Sequence, residues 1–156
     1  MFDIFFIAIV LIFSVIIHEI AHGSVALALG DTTAKDHGRL SLNPLKHLDI
    51  FGSIILPGAL LLLYSASGQV GPIIGWAKPV PINPSNFKDK KWGELKVSLA
   101  GPAANFLIAL FFCLILRFSG FFSAFLPTDA FRLFSEIAFY NLILAFFNLV
   151  FFIIFI

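Results

Sequence analysis

The chain has 156 residues, of which 60% are hydrophobic and 12% are charged, and its formal net charge is +1. Soluble domains are roughly 45–50% apolar and about 25% charged, so this composition excludes a water-soluble globular domain of this size. The near-neutral charge gives no indication of nucleic-acid binding. The apolar excess predicts an integral membrane protein that spans the bilayer as helices, because helices hydrogen-bond their own backbone in lipid.

Four apolar stretches predict an all-α membrane protein with about four transmembrane helices in a single domain, residues 1–156. The stretches are residues 2–29, 48–64, 97–118 and 131–156. Pro57 interrupts the second stretch and predicts a broken helix there, since proline removes a backbone donor. Residues 65–96, between the second and third stretches, are rich in Pro and Gly and predict an extended loop.

The basic residues do not indicate which side of the membrane each loop faces. If all four stretches cross, each side carries five basic residues, so the positive-inside rule does not discriminate between the two orientations. One side then holds Lys35, Arg39, Lys46, Arg117 and Arg132, and the other holds Lys78, Lys88, Lys90, Lys91 and Lys96.

The first apolar stretch contains the sequence His-Glu-Ile-Ala-His at residues 18–22. His18 and His22 are four residues apart, so a helix places them on one face, where both can bind one zinc ion with Glu19 beside them to move protons. A charged side chain in the middle of a membrane helix costs about 2.5–3.5 kcal/mol, and metal binding with proton transfer would account for it. The alternatives are a chance match and a metal-free pair of histidines hydrogen-bonded between helices.

Three further motifs follow in order: Leu-Asn-Pro-Leu-Lys-His-Leu-Asp at residues 42–49, Gly-Trp-Ala-Lys-Pro-Val-Pro at 75–81 and Gly-Pro-Ala-Ala-Asn at 101–105. Together with residues 18–23, these make the chain resemble the site-2 protease family of intramembrane zinc metalloproteases, in particular its compact prokaryotic branch. The resemblance implies zinc-dependent hydrolysis of peptide bonds in transmembrane or membrane-associated substrates. It also implies a multi-pass protein of a prokaryotic cell membrane.

The resemblance implies a role for each matching residue. His18 and His22 would bind Zn²⁺, and Glu19 and Asn105 would be catalytic. Residues 75–83 would receive an unwound substrate segment by strand addition. For Asn105 the alternative is an interhelical hydrogen bond. The residues expected to bind substrate are Lys78, Pro79, Val80 and Asn148.

The chain departs from the family pattern near its end. The family supplies its third zinc ligand as the aspartate of a Leu-Asp-Gly motif that follows Phe-Asn-Leu. Here Phe147-Asn148-Leu149 is present, but Ile156 falls about where that aspartate is expected, which predicts a truncated or altered C-terminus. Asp49 and His47 are candidates for a substitute ligand, although Asp49 is also well placed to cap a helix.

Two other functions remain open from the sequence. The chain could be an inactive relative that binds membrane peptides without cutting them, which the missing aspartate favours. It could also be a membrane metal-ion transporter using His18, Glu19 and His22 as a relay. Transport predicts ionisable residues along other spans, and the cores of the second and third stretches have none.

Overall fold

The computed structural model describes residues 2–68, 71–72, 75–122 and 126–155. Within these ranges it contains helices and turns but no β-strand, which confirms the predicted all-α class. The long helices are α1 (Phe2–Ala28), α3 (Leu56–Ser67), α4 (Gly93–Arg117) and α6 (Thr128–Phe155). The short helices α2 (Thr33–Asp36) and α5 (Ser119–Phe122) and 3₁₀ turns at Pro44–Lys46 and Pro84–Asn86 lie between them. Ile156 lies outside the described residues.

Four described segments are long and apolar enough to cross a membrane, as predicted. They are Phe5–Ala28, Ile50–Ser67, Gly93–Arg117 and Asp129–Val150. The second segment begins as a π-helical turn, Ile50–Ile55, and continues as α3. Pro57 is the second residue of α3 and has no N–H to donate, and the carbonyl of Gly52, five residues earlier in the π-helical turn, accepts from the N–H of Trp76 instead. The predicted interruption is therefore a change from π-helical to α-helical backbone.

Helix α4 packs against both α1 and α6, and α1 also contacts α6. By contrast, α3 has no buried residue. The outer surfaces of the helices carry large apolar side chains, such as Leu62 and Phe111, that are 74% and 60% exposed. Several buried side chains are polar or charged: Ser14, His18, Asp31, His47, Asn105 and Asn141. This apolar exterior with polar groups inside is what a lipid-facing bundle around a polar site requires.

The described parts of residues 50–76, here called the hairpin, run out along α3 and come back to its starting point. The backbone N–H of Trp76 donates to the carbonyl of Gly52 at 3.2 Å, and the hydroxyl of Ser53 donates to the carbonyl of Trp76 at 2.8 Å. Further out, the hydroxyl of Tyr64 donates to the carbonyl of Pro72 at 3.1 Å. The polar segments before and after this hairpin therefore lie on the same side of the bundle.

The hairpin corrects the sequence-based count of basic residues. That count assumed that residues 48–64 carry the chain to the opposite side, whereas the return segment brings it back. Eight of the ten basic residues lie between the end of α1 and the first turn of α4, and only Arg117 and Arg132 lie at the other end of the bundle. The distribution is therefore strongly asymmetric.

Candidate active site

The two histidines of α1 face each other at one point. The Nε2 atoms of His18 and His22 are 3.0 Å apart, and their rings meet edge to face with centroids separated by 4.6 Å. Two zinc–nitrogen bonds of about 2.0–2.1 Å that diverge tetrahedrally would separate the two nitrogens by roughly 3.3 Å. The observed pair is therefore close to the geometry in which both nitrogens bind one metal ion.

The backbone of α4 orients His22. Its Nδ1 atom lies 2.6 Å from the carbonyl oxygen of Val97. A carbonyl can only accept, so Nδ1 carries the hydrogen and Nε2 keeps its lone pair, which points towards His18. Metal-binding histidines generally donate their second ring N–H to a carbonyl or carboxylate in this way.

Asn105 of α4 holds His18 from the opposite side. The amide Nδ2 of Asn105 is 3.2 Å from Nδ1 of His18, and Asn105 is only 1% exposed. Its Oδ1 atom is buried and has no hydrogen-bond partner among the described residues. Rotating the amide by 180° brings Oδ1 to Nδ1–H of His18, which again leaves a lone pair on Nε2. Both imidazoles can therefore present Nε2 to a metal.

Gly101 allows α4 to approach this closely. A Cβ atom at this position would collide with Nε2 of both histidines. Pro102 follows within the helix and has no N–H to donate to the carbonyl of Ser98. The turn of α4 that contacts α1 therefore lacks one helical hydrogen bond. Helix α4 thus closes the site with backbone atoms at Val97 and Gly101 and with one amide side chain.

Glu19 contacts the loop of residues 75–83. Its Oε2 atom accepts a hydrogen bond of 2.8 Å from the backbone N–H of Val80, which is buried. The N–H groups of Trp76 and Lys78 also donate inward, to the carbonyls of Gly52 and His47. Alternate residues of the loop therefore face the protein, as expected for an extended segment.

The other residues expected to bind substrate lie in different surroundings. Lys78 and Pro79 are exposed on the same loop as Val80. The amide of Asn148 donates to the carbonyl of Leu144, one turn earlier in α6, at 2.8 Å. The described contacts therefore link Val80 to the site but do not link Asn148 to it, and the substrate roles of all four residues remain predictions.

The described residues supply two metal ligands rather than three. No group of three His, Cys, Asp or Glu side chains within them could hold a metal ion. Asp49 caps the π-helical turn, with its Oδ1 accepting from Gly52 N–H at 2.7 Å, which confirms the capping alternative. Asp49 forms no three-residue ligand group with His18 and His22. His47 is buried, with Nε2 at 2.8 Å from the carbonyl of Ser41. The histidine pair fits zinc, but the third ligand has to come from elsewhere.

An apolar cavity of about 640 Å³ lies between α1 and the hairpin. The residues nearest the site that line it are Val15, Ile16, His47, Gly52, Trp76 and Ala77. Ile16 precedes the histidine pair on α1, and Ala77 precedes Val80 on the loop. By helical spacing, the cavity lies on the face of α1 that carries Glu19 one turn further along.

A converging histidine pair in an apolar helical bundle is typical of a membrane metallopeptidase, and comparison with known families gives the same class. The family model described as Peptidase family M50 matches residues 6–131. The chain belongs to this family, which confirms the resemblance to site-2 proteases.

A bacterial relative supports the same assignment. The chain is 43% identical over 113 residues to the protein named "Putative zinc metalloprotease YwhC" of Bacillus subtilis (strain 168). This alignment covers 71% of the chain, but the chain spans only 46% of the length of that relative. No solved structure matches the chain significantly.

Two features of the site have no clear signal in the sequence. The carbonyl of Val97 could not be assigned to His22, because backbone acceptors are present at every residue. The contact between Val80 and Glu19 joins positions 61 residues apart. Gly101-Pro102 within an apolar stretch is the one available sign that α4 approaches another element closely.

Proposed function

We propose that the chain acts as a zinc-dependent intramembrane protease that hydrolyses peptide bonds of transmembrane or membrane-associated substrates. The observation that carries this proposal is the convergence of the two Nε2 atoms of His18 and His22, with Glu19 next to them in an apolar helix. Membership of Peptidase family M50 and the name of the bacterial relative support it.

The histidine pair would hold zinc together with a third ligand from outside the described residues. When bound, zinc would polarise the scissile carbonyl and lower the pKa of a coordinated water towards neutrality. Glu19 would act as the general base that takes a proton from the attacking water and as the general acid that passes it to the nitrogen of the leaving amine. The N–H of Val80 holds Oε2 of Glu19, so Oε1 is the oxygen that takes the proton. Val97 and Asn105 keep the imidazoles in the orientation that zinc requires.

The loop of residues 75–83 binds an extended segment of substrate. A helical substrate cannot be cut as a helix, because its peptide groups are occupied by their own hydrogen bonds. On the inner edge of the loop, the N–H groups of Trp76, Lys78 and Val80 already donate to other parts of the protein. Its outer edge includes Pro79 and Pro81, which have no N–H, so it offers mainly carbonyl acceptors to a substrate strand. Apolar substrate side chains enter the cavity beside α1.

The excess of basic residues in the connection between α1 and α4 supports a cytoplasmic location for it, since cytoplasmic loops carry the excess of Lys and Arg. The helical rise of about 1.5 Å per residue puts Glu19 roughly 14 Å from the end of α1 at Ala28. On this orientation, Glu19 and the histidine pair lie in the cytoplasmic half of the bilayer.

A second candidate function is binding of membrane peptides without hydrolysis. It is favoured by the presence of only two metal ligands among the described residues. A metal-ion transporter lacks comparable support, because α4 has no Asp, Glu, His, Lys or Arg between Lys96 and Arg117.

The test combines zinc content with cleavage. Zinc per chain is measured by mass spectrometry for the unmodified protein and for His22→Ala. Cleavage of a single-pass transmembrane reporter in liposomes is measured for the unmodified protein and for Glu19→Gln. Protease function predicts zinc that is lost in His22→Ala and cleavage that is lost in Glu19→Gln. Zinc bound without cleavage by the unmodified protein selects the peptide-binding function.

A further inference from the structure

Asp31 is a buried carboxylate outside the metal site. It follows the end of α1, where Gly30 turns the chain with a φ of 106°, and it is 0% exposed. Its Oδ1 atom accepts from Thr33 N–H at 3.2 Å, from Thr33 Oγ1 at 2.5 Å and from Asn86 Nδ2 at 2.9 Å, and its Oδ2 atom accepts from Asn83 N–H at 2.8 Å. A buried carboxylate with four donors is an anchoring point.

The donors come from two separate segments of the chain. Thr33 belongs to the segment after α1, whereas Asn83 ends the loop of residues 75–83 and Asn86 belongs to the 3₁₀ turn that follows it. The N–H of Lys88 also donates to the carbonyl of Leu29 at 2.8 Å. The C-terminal end of this loop is therefore fastened to the end of α1, the helix that carries Glu19.

The chain between this anchor and Glu19 is short and stiff. Val80, which donates to Glu19, is three residues before Asn83, which donates to Asp31. Pro81 fixes its own φ and restricts Val80 to extended backbone, and Pro84 does the same for Asn83. A displacement at Asn83 is therefore transmitted to Val80 rather than absorbed between them.

The charge state of Asp31 suits this task. Burial alone would raise the pKa of its carboxyl, but the hydrogen bonds from Asn83, Thr33 and Asn86 outweigh burial and lower the pKa to about 2. At neutral pH the side chain is therefore a carboxylate that only accepts hydrogen bonds.

We propose that Asp31 is a positioning residue that holds the loop of residues 75–83 against α1 and thereby keeps the N–H of Val80 on Glu19. The consequence for catalysis rests on the proposed protease function. The positioning itself does not depend on it.

The first test measures the position of the loop without any enzymatic readout. Cys113 is replaced by alanine, and Val80→Cys is introduced as a probe whose side chain is buried in the anchored loop. The labelling rate with N-ethylmaleimide is measured on metal-free protein in detergent. Asp31→Asn replaces one carboxylate oxygen with an NH₂ group, which cannot accept a hydrogen bond from the surrounding donors. We therefore expect the anchor to weaken and the labelling rate to rise at least five-fold. Asp36→Asn is the matched control, because Asp36 is exposed and accepts only from Thr32 among the contacts described.

A second variant guards against misfolding of Asp31→Asn. Asn86→Ala removes one donor from the loop side and leaves Thr33 in place, and we expect it to raise labelling about two-fold. Labelling that stays at the level of the Asp36→Asn control in either folded variant would overturn the proposal.

The second test concerns catalysis. Asp31→Asn should lower kcat for the transmembrane reporter at least five-fold, with zinc per chain unchanged and KM within two-fold, because the site remains assembled while Glu19 loses its partner. An unchanged kcat with faster labelling would overturn the catalytic consequence. If the unmodified protein cleaves nothing, the protease function fails, and the labelling result still decides whether Asp31 positions the loop.

Discussion

Two carboxylates near the C-terminal half of α1 are used in opposite ways. Asp31 is fully buried and accepts four hydrogen bonds, from Thr33, Asn83 and Asn86. Glu19 accepts one hydrogen bond among the described residues, from Val80, and lies beside two converging imidazoles. A carboxylate whose two oxygens both accept hydrogen bonds is held in place and is a weak base. A carboxylate with one oxygen that accepts no hydrogen bond can take up a proton there. The loop of residues 75–83 contacts both carboxylates, as the positioning role proposed for Asp31 requires.

The largest effect is expected at the reactive carboxylate. Glu19→Gln keeps the size of the side chain and its oxygen acceptor for Val80 but removes the base, so cleavage should fall by about 10²–10⁴-fold, the usual contribution of general acid–base catalysis. Zinc per chain should be unchanged, because Glu19 is not expected to bind the metal. Glu94→Gln in the first turn of α4 is the matched control. Equal cleavage by Glu19→Gln and this control would exclude Glu19 as the base.

The next effect concerns the partner of His18. Asn105→Ala leaves Nδ1 of His18 without its described side-chain partner in a buried site. Loss of such a supporting residue typically lowers metal affinity about 10–100-fold, and competition with a chelator measures it. Asn148→Ala is the control for zinc affinity, since the amide of Asn148 is bonded within its own helix. Wild-type affinity in Asn105→Ala would mean that Asn105 does not orient the metal ligand.

The approach of α4 can be tested with one methyl group. Gly101→Ala places a Cβ against Nε2 of both histidines, so we expect less zinc per chain and a stability loss of about 1–3 kcal/mol, as for other overpacked sites. Gly58→Ala in α3 is the matched control, because a Cβ there meets nothing within 4 Å. Full zinc occupancy in Gly101→Ala would show that α4 does not close the site as tightly as described.

The sequence was sufficient to predict the histidine pair, because the helical period alone brings residues four apart together. It was not sufficient for the elements that hold the pair. Val97 acts through its carbonyl. Asp31 is hydrogen-bonded to Asn83 and Asn86, which lie 52 and 55 positions further along the chain. In the sequence alone, Gly30-Asp31 indicates only the end of the first apolar stretch. Tertiary contacts of this range leave no periodic pattern in the chain.

Hydropathy also predicted the second apolar segment but not its path. The segment Ile50–Ser67 is long and apolar enough to cross a membrane. Neither its length nor its composition indicates that the chain comes back so that Trp76 contacts Gly52. The side of the bundle on which every later basic residue lies depends on that return. The sequence alone therefore does not indicate the membrane orientation. The Pro- and Gly-rich composition of residues 65–96 predicts irregular backbone, which the described residues between α3 and α4 confirm, whereas residues 65–67 and 93–96 belong to those helices. The partners of the irregular backbone are set by α1 and the π-helical turn.

The smallest effect is a dependence of stability on acid pH. The pKa of Asp31 is lowered from 3.8 to about 2 in the folded state, because its hydrogen bonds outweigh the opposing effect of burial. A group whose folded pKa is depressed contributes stability above its unfolded pKa and loses it as pH falls through the folded value. The melting temperature of the unmodified protein in detergent should therefore fall between about pH 4 and pH 2 more steeply than that of Asp31→Asn, which has no carboxyl to protonate. The variant should be less stable at pH 7, and the two curves should converge at the acid end. Parallel curves across this range would mean that the carboxylate of Asp31 is no better satisfied in the folded protein than in the unfolded chain, and the contrast with Glu19 would then be lost.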